Sequence, residues 1–301
     1  DEIQYMTIPE TVVDLQAYVF AECDKLIYVG GCAGLTYIGE HMFENCVSLE
    51  NFHFIDKIVV VKESAFNGCS KLGFSDILVE GETFEPSVEL NNVHTIEDYA
   101  FNNCTYLVRL TMNECLTTIG QYTFMGCTAL SNIIQNNTYI GVGMFKNCTG
   151  LQTVTVNAGT KTIDDEAFMG CTALTTVNLP EGLLNINNRT FKDCTALQSI
   201  VLPESLAHIG EEAFANSGLT YAIIPSLVTS IGDYAFQESK QLKKVIFNNS
   251  VLGLGMFYNC KDLRNAYLTI GVTVIPEKAF MNAEKLTLVS SIDNPKYASL
   301  I

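Results

Sequence analysis

The chain has 301 residues, enough to bury a substantial core, and its 48% apolar and 17% charged residues exclude a disordered polymer. A formal charge of −16 at pH 7 argues against nucleic acid or an anionic membrane surface as partner, because both carry the same sign. No apolar run approaches the length of a membrane span, so membrane insertion is not expected.

Along the chain, Phe20, Phe43, Phe66, Phe101, Phe124, Phe145, Phe168, Phe191, Phe214, Phe236, Phe257 and Phe280 recur at intervals of 21 to 23 residues, with one interval of 35. A period held over twelve units predicts a solenoid. An aliphatic residue stands five positions before each Phe, as at Ile38, Ile163 and Ile209. Cysteine follows three positions after it in nine units, and Ser217, Ser239 and Ala283 take that place in the others. A Leu comes six positions after the Phe, then an alternating run such as "TTVNLP" that reads as a short strand. A unit of this size exposes apolar side chains on both sides and is stable only when stacked, with strands pairing in parallel. The expected fold is therefore an α/β solenoid of about twelve 23-residue coils, one short parallel strand and one short helical turn per coil. Residues 1–301 form a single domain in this reading.

The first units depart from the pattern between Phe66 and Phe101, where about twelve extra residues predict an insertion at about 73–90. It reads as a surface excursion, with a functional loop as the alternative. Two shortened units, "NNTYIGVGMFKNC" from Asn136 and "NNSVLGLGMFYNC" from Asn248, are nearly the same text. Their glycine pairs lack the context of a nucleotide loop and read as tightened corners.

In the middle of the chain "IDDEAFMGC", residues 163–171, suggests a metal or nucleophile site. The repeat argues otherwise. The position three before the Phe is acidic in seven units, namely Glu40, Glu63, Asp98, Asp165, Glu211, Asp233 and Glu277. A carboxylate there reads as a cap on the first turn of a short helix. The eleven cysteines are odd in number and contain no C-x-x-C pair. Neither zinc nor any other cofactor is expected. The cysteine column reads as buried free thiols, with one or more disulfides as the alternative. No catalytic motif escapes the repeat, so no catalytic or metal residue is assigned and the chain is not read as an enzyme.

In the strand pattern L-x-x-V-x-L, the residue between the last two apolar positions points outward. Early units place His53, Thr111, Thr155 and Asn178 there. Later units place Val201, Ile223, Ile246 and Tyr267, with Tyr221, Lys243, Lys244 and Arg264 beside them. Five of the seventeen basic residues fall between Lys240 and Arg264. These eight residues are the candidate partner-binding patch, since aromatic, aliphatic and Arg groups favour interface cores. The competing reading is that β-branched residues merely suit an outward strand position.

The unit L-x-x-V-x-L-P…I-x-x-x-A-F-x-x-C-x-x-L, clearest in "LTTVNLPEGLLNINNRTFKDCTALQSIVLP" (Leu174 to Pro203), resembles the BspA-like leucine-rich repeat, also called the Treponema pallidum type. The resemblance covers nearly the whole chain. It implies a leucine-rich repeat array and a secreted or cell-surface protein, with roles in adhesion and binding of host or extracellular proteins. A carbohydrate-binding accessory protein and a structural spacer for another domain are the alternatives. The tail "DNPKYAS", Asp293 to Ser299, resembles a stretch near the ends of such arrays, so the array is expected to continue beyond both ends of this chain.

Overall fold

The computed structural model describes residues 2–52, 57–73, 87–90, 92–112, 114–135 and 137–291. It falls into two compact units, Asp1–Gln152 and Thr153–Ile301. His53 and the tail Asp293 to Ser299 lie outside the described residues.

Every paired strand in both units is parallel. In the first unit Tyr5–Ile8, Tyr28–Gly31 and Asn51–Phe52 form one sheet, and Ser87–Leu90, Arg109–Met112 and Asn132–Gln135 another. Of the segment read as an insertion, Ser87–Leu90 thus belongs to a sheet, with Val88 and Leu90 buried. Residues 74–86 of it lie outside the described residues. A second, narrower ladder joins Tyr37–Ile38, Val60–Val61, Thr95–Ile96 and Thr118–Ile119. The second unit repeats the plan. Thr153–Thr155 pairs with Thr176–Asn178, and Tyr221–Ile224, Lys244–Phe247, Asn265–Leu268 and Leu288–Ser291 form a four-stranded sheet. Its narrow ladder joins Thr162–Ile163, Asn185–Ile186, His208–Ile209 and Ser230–Ile231.

The repeated Phe forms the core of each coil. Neighbouring rings stack 5.3–5.9 Å apart from Phe20 to Phe145 and 5.0–5.6 Å apart from Phe168 to Phe280. Ten of these rings are fully buried, five in each unit. Phe20 and Phe280 are only half-buried, and neither Leu15 nor Ile275 enters a narrow ladder. The expected twelve coils are therefore about ten turns, with the outermost units left incomplete.

No helix occurs among the described residues, which corrects the expected helical turn. The cause is visible in the backbone. Two positions per turn, four residues apart, take left-handed φ, as at Arg189 (54°) and Asp193 (62°), so right-handed helical bonding cannot propagate through the turn. Every second amide instead crosses to the next coil: Arg189 N donates to Glu211 O, Phe191 N to Ala213 O and Asp193 N to Ala215 O, at 2.8–2.9 Å. The amides between them close tight turns within the coil, as Lys192 N does on Arg189 O at 3.2 Å. Left-handed φ costs roughly 1–2 kcal/mol at an ordinary residue, and the intercoil bonds offset that cost.

The two shortened units use glycine at one of these left-handed positions. A Cβ on Gly143 or Gly255 would lie 2.2–2.3 Å from the ring of Tyr122 or Tyr234. The glycines admit a tyrosine ring from the preceding coil.

Candidate binding face

The acidic stretch Asp164–Glu166 has structural partners in the next coil. Asp165 Oδ1 accepts the amide of Asn188 at 2.9 Å, and Asn188 Oδ1 in turn accepts the amide of Glu211 at 2.8 Å. In the first unit Asp98 Oδ1 accepts the amide of Gln121 at 2.8 Å. These side chains do cap orphan amides, although the amide capped belongs to the neighbouring coil and opens no helix. Asp164 accepts from Asn187, and Glu166 lies 3.8 Å from Arg189. Among the described residues, no group of three His, Cys, Asp or Glu side chains is placed to hold a metal ion.

One coil further on, the Glu212 carboxylate gathers Arg189 at 2.9 Å, Lys192 at 2.8 Å and Gln237 at 2.5 Å. Burial alone would raise its pKa. The hydrogen bonds from Lys192 and Arg189 outweigh that, and the pKa is lowered. Both oxygens of this carboxylate are hydrogen-bonded, and the cluster ties three coils together.

All eleven cysteines are free thiols; Cys115 is exposed, Cys23 half-buried, and the other nine buried. Burial pushes Cys46 and Cys260 up to about 12 and Cys32 to about 11. Such thiols are poor nucleophiles and poor metal ligands.

The candidate patch lies in the second unit, on the sheet that begins at Tyr221. Register pairs Ile223 with Ile246 and Ile246 with Tyr267 in one outward row, and Tyr221 with Lys244 in the next. The alternate positions Ala222, Ile224, Val245, Phe247, Ala266 and Leu268 are buried in the core, as the strand pattern requires. Five of the eight candidate residues therefore share this sheet face. Accessibility differs among them. Ile246 and Tyr267, expected to point outward, are only 6% and 8% exposed and so are buried. Ile246 is flanked in register on both sides, and Lys244 Nζ lies 5.5 Å above the Tyr267 ring. The lysine stem and a cation–π contact cover the aromatic face.

Lys243 and Arg264 precede their strands by one residue and are exposed, with Arg264 N bonded to Lys243 O at 2.9 Å. They form a basic edge with Lys285, which is bonded to Asp262. The Asp262 pKa is lowered first by Lys285, then by Arg264 and Lys243, so the charges lie close together. The sequence held a signal for the missed pair, since Lys285 and Asp262 stand 23 residues apart, one repeat. Val201 sits outside the four-stranded sheet, in a stretch with no strand of its own between Ile186 and His208, and it is 78% exposed. That coil is tied to the sheet through Thr220 N and Gln198 O, 3.0 Å apart. The earlier coils of this unit present Thr155 and Asn178 instead, joined side chain to side chain at 3.1 Å.

The chain matches the family model described as BspA type leucine rich repeat region (6 copies) over residues 1–88, 80–175 and 161–287. Among solved structures it is similar to a leucine-rich repeat protein from Bacteroides ovatus, at 20% identity and a TM-score of 0.51, covering 96% of this chain and 92% of that one. A leucine rich cell surface protein from Faecalibacterium prausnitzii aligns at 21% identity and a TM-score of 0.53, covering 98% and 81%. The pneumococcal vaccine antigen PcpA aligns at 21% identity and a TM-score of 0.60, covering 91% and 72%. At these identities the likeness establishes the fold. No curated protein matches the chain.

Proposed function

The chain belongs to the BspA-type leucine-rich repeat family, and from that premise we propose that it is a non-enzymatic protein-binding solenoid displayed at a cell surface or secreted. The cell-surface description of the Faecalibacterium protein and the antigen description of the pneumococcal one support that location. Family matches that run from 80 to 175 and from 161 to 287 support reading residues 1–301 as one repeat domain.

The observation that carries the binding reading is the accessible set of Tyr221, Ile223 and Val201 beside a basic edge of Lys243, Lys244 and Arg264, with Ile246 and Tyr267 buried beneath it. In a chain of charge −16, a local basic edge beside apolar groups selects an acidic protein surface. The partner is an acidic extracellular protein, such as a host surface or matrix protein, engaged by adhesion-type contact. The test is surface plasmon resonance of the 301-residue chain over immobilised acidic extracellular proteins. Saturable binding that weakens with salt supports the reading. Absence of binding across acidic proteins, or binding equally strong at high salt, overturns it.

A further inference from the structure

We propose that a notch between the coils of Phe191, Phe214 and Phe236 binds a free α-amino acid, held as its zwitterion. The notch is built from turn residues of the second unit, not from its sheet strands, and does not depend on the protein-binding reading.

The repeat explains why a gap opens there. The residue after the repeated Phe is Met169, Lys192, Ala215, Gln237 and Tyr258 in successive coils, so Ala215 is the shortest member of its row. Its neighbours do not fill the space above it. Lys192 Nζ and Gln237 Nε2 both reach the Glu212 carboxylate, at 2.8 and 2.5 Å, and are held there. What remains is a cavity of about 300 Å³. That volume is at the small end of ligand sites and suits one amino acid. Apart from Ala215 the lining is polar, which favours a small or polar side chain on the ligand.

The hydrogen-bonding capacity of the walls selects the ligand. Asp193 Oδ1 accepts from Asn216 Nδ2 at 2.8 Å. Among the described residues, Oδ2 of Asp193, Oδ1 of Asn216 and Oε1 of Gln237 accept no hydrogen bond. These acceptor oxygens suit a primary ammonium group, which has three N–H donors. Lys240 supplies the opposite charge. Its Nζ lies a loose 3.5 Å from Glu238, a carboxylate that Asn259 Nδ2 already holds. Lys240 is exposed and keeps donors for a ligand carboxylate, as does Lys192 beyond its bond to Glu212. A lone amine would meet two lysines, and a lone carboxylate would meet Asp193 and Glu238. Only a molecule that carries both charges is matched by all four groups.

The experiment is isothermal titration calorimetry of the 301-residue chain with glycine, serine and glutamine, using ethanolamine and acetate as single-charge probes. Expected is saturable one-site binding of at least one amino acid, about tenfold or more tighter than either probe. Asp193→Asn removes only the charge, and other coils carry Asn216 and Asn259 at this position. It should weaken binding about tenfold, and so should Lys240→Gln. Ala215→Met, which introduces the residue found at Met169 in the same row, should abolish binding by filling the notch. Tyr221→Ala and Lys243→Glu should leave it unchanged. The proposal is overturned if none of the three amino acids binds, if ethanolamine or acetate binds as tightly, or if Ala215→Met binds normally. If Ala215→Met melts early, the charge variants decide, and unaltered affinity in either one overturns the proposal. Loss of protein-partner binding by Lys243→Glu leaves this site untouched, so the two readings fail separately.

Discussion

The thiol of Cys194 donates to the carbonyl oxygen of Phe168, 26 residues earlier, at 3.3 Å. The same bond recurs where the cysteine is replaced, since Ser239 Oγ donates to Phe214 O at 3.0 Å. At Ser239 the column thus keeps a small side chain that donates as cysteine does, while Ser217 pairs with Ser239 Oγ at 3.1 Å and Ala283 keeps only the small size. Parallel stacking gives column sulfurs such as Cys46, Cys69, Cys148 and Cys260 a carbonyl partner in the preceding coil.

Thiol chemistry follows from that bond. In native protein Cys115 should react promptly with a thiol reagent and Cys23 next, while the nine buried thiols lag. For Cys46, a pKa raised from 9.0 to about 12 lowers the thiolate fraction near neutral pH by about a thousandfold. Denatured, unreduced protein should titrate close to eleven groups. A denatured count of three or fewer would reveal a disulfide framework and refute this arrangement.

The Phe stack should be the largest single contribution to stability. Phe191 is fully buried between Phe168 and Phe214, 5.5 Å from each, and the coils cannot close around a missing ring. Phe191→Ala should cost about 3–5 kcal/mol by urea denaturation. Phe280→Ala, at a half-buried terminal ring, should cost clearly less. Equal costs would mean that the stack is not the core.

The period, the Phe column and the strand faces were legible because one unit's packing is written repeatedly into the chain. The turn was misread as helical because an acidic residue ahead of an apolar one resembles a helix cap when a coil is considered alone. The opposing signal was the residue before cysteine, which is Asn45, Gly68, Asn103, Gly126, Asn147, Gly170, Asp193 or Asn259 in eight of the nine cysteine-bearing units, the first having Glu22. These residue types tolerate left-handed φ, and each of the eight adopts it. Alternation put Ile246 and Tyr267 in register with Ile223, and it gave no sign that both are buried. It could not reveal that Lys244 folds over the Tyr267 ring, because that depends on side-chain reach across two strands.

Acid sensitivity should trace to Glu212. Its lowered pKa means that the ionised form is favoured in the folded state, so its contribution is present above the unfolded carboxylate value of about 4.3. That contribution is lost as pH falls through the lower folded value. Glu212→Gln should therefore melt earlier than the unaltered protein at pH 6, and the gap should narrow below about pH 4. A gap of constant size from pH 6 to pH 3 would show that the ion cluster contributes nothing linked to protonation.

The patch prediction must respect burial. Ile246→Asp places a charge at a position only 6% exposed, so it should destabilise the fold by several kcal/mol and cannot report on binding. The accessible members are better probes. Lys243→Glu with Arg264→Glu should slow association with an acidic partner and remove most of its salt dependence, since the exposed basic edge acts mainly through steering. Val201→Asp with Tyr221→Ala should weaken equilibrium binding at least tenfold, about 1.4 kcal/mol, with little change in melting temperature. The control pair is Thr155→Asp with Asn178→Asp on the polar coils of the same unit, which should leave binding unaltered. Stopped-flow association rates and a salt series separate steering from contact. If the polar pair disrupts binding while the Val201 and Lys243 variants do not, the outward apolar row reflects strand propensity, and the binding face lies elsewhere on the molecule.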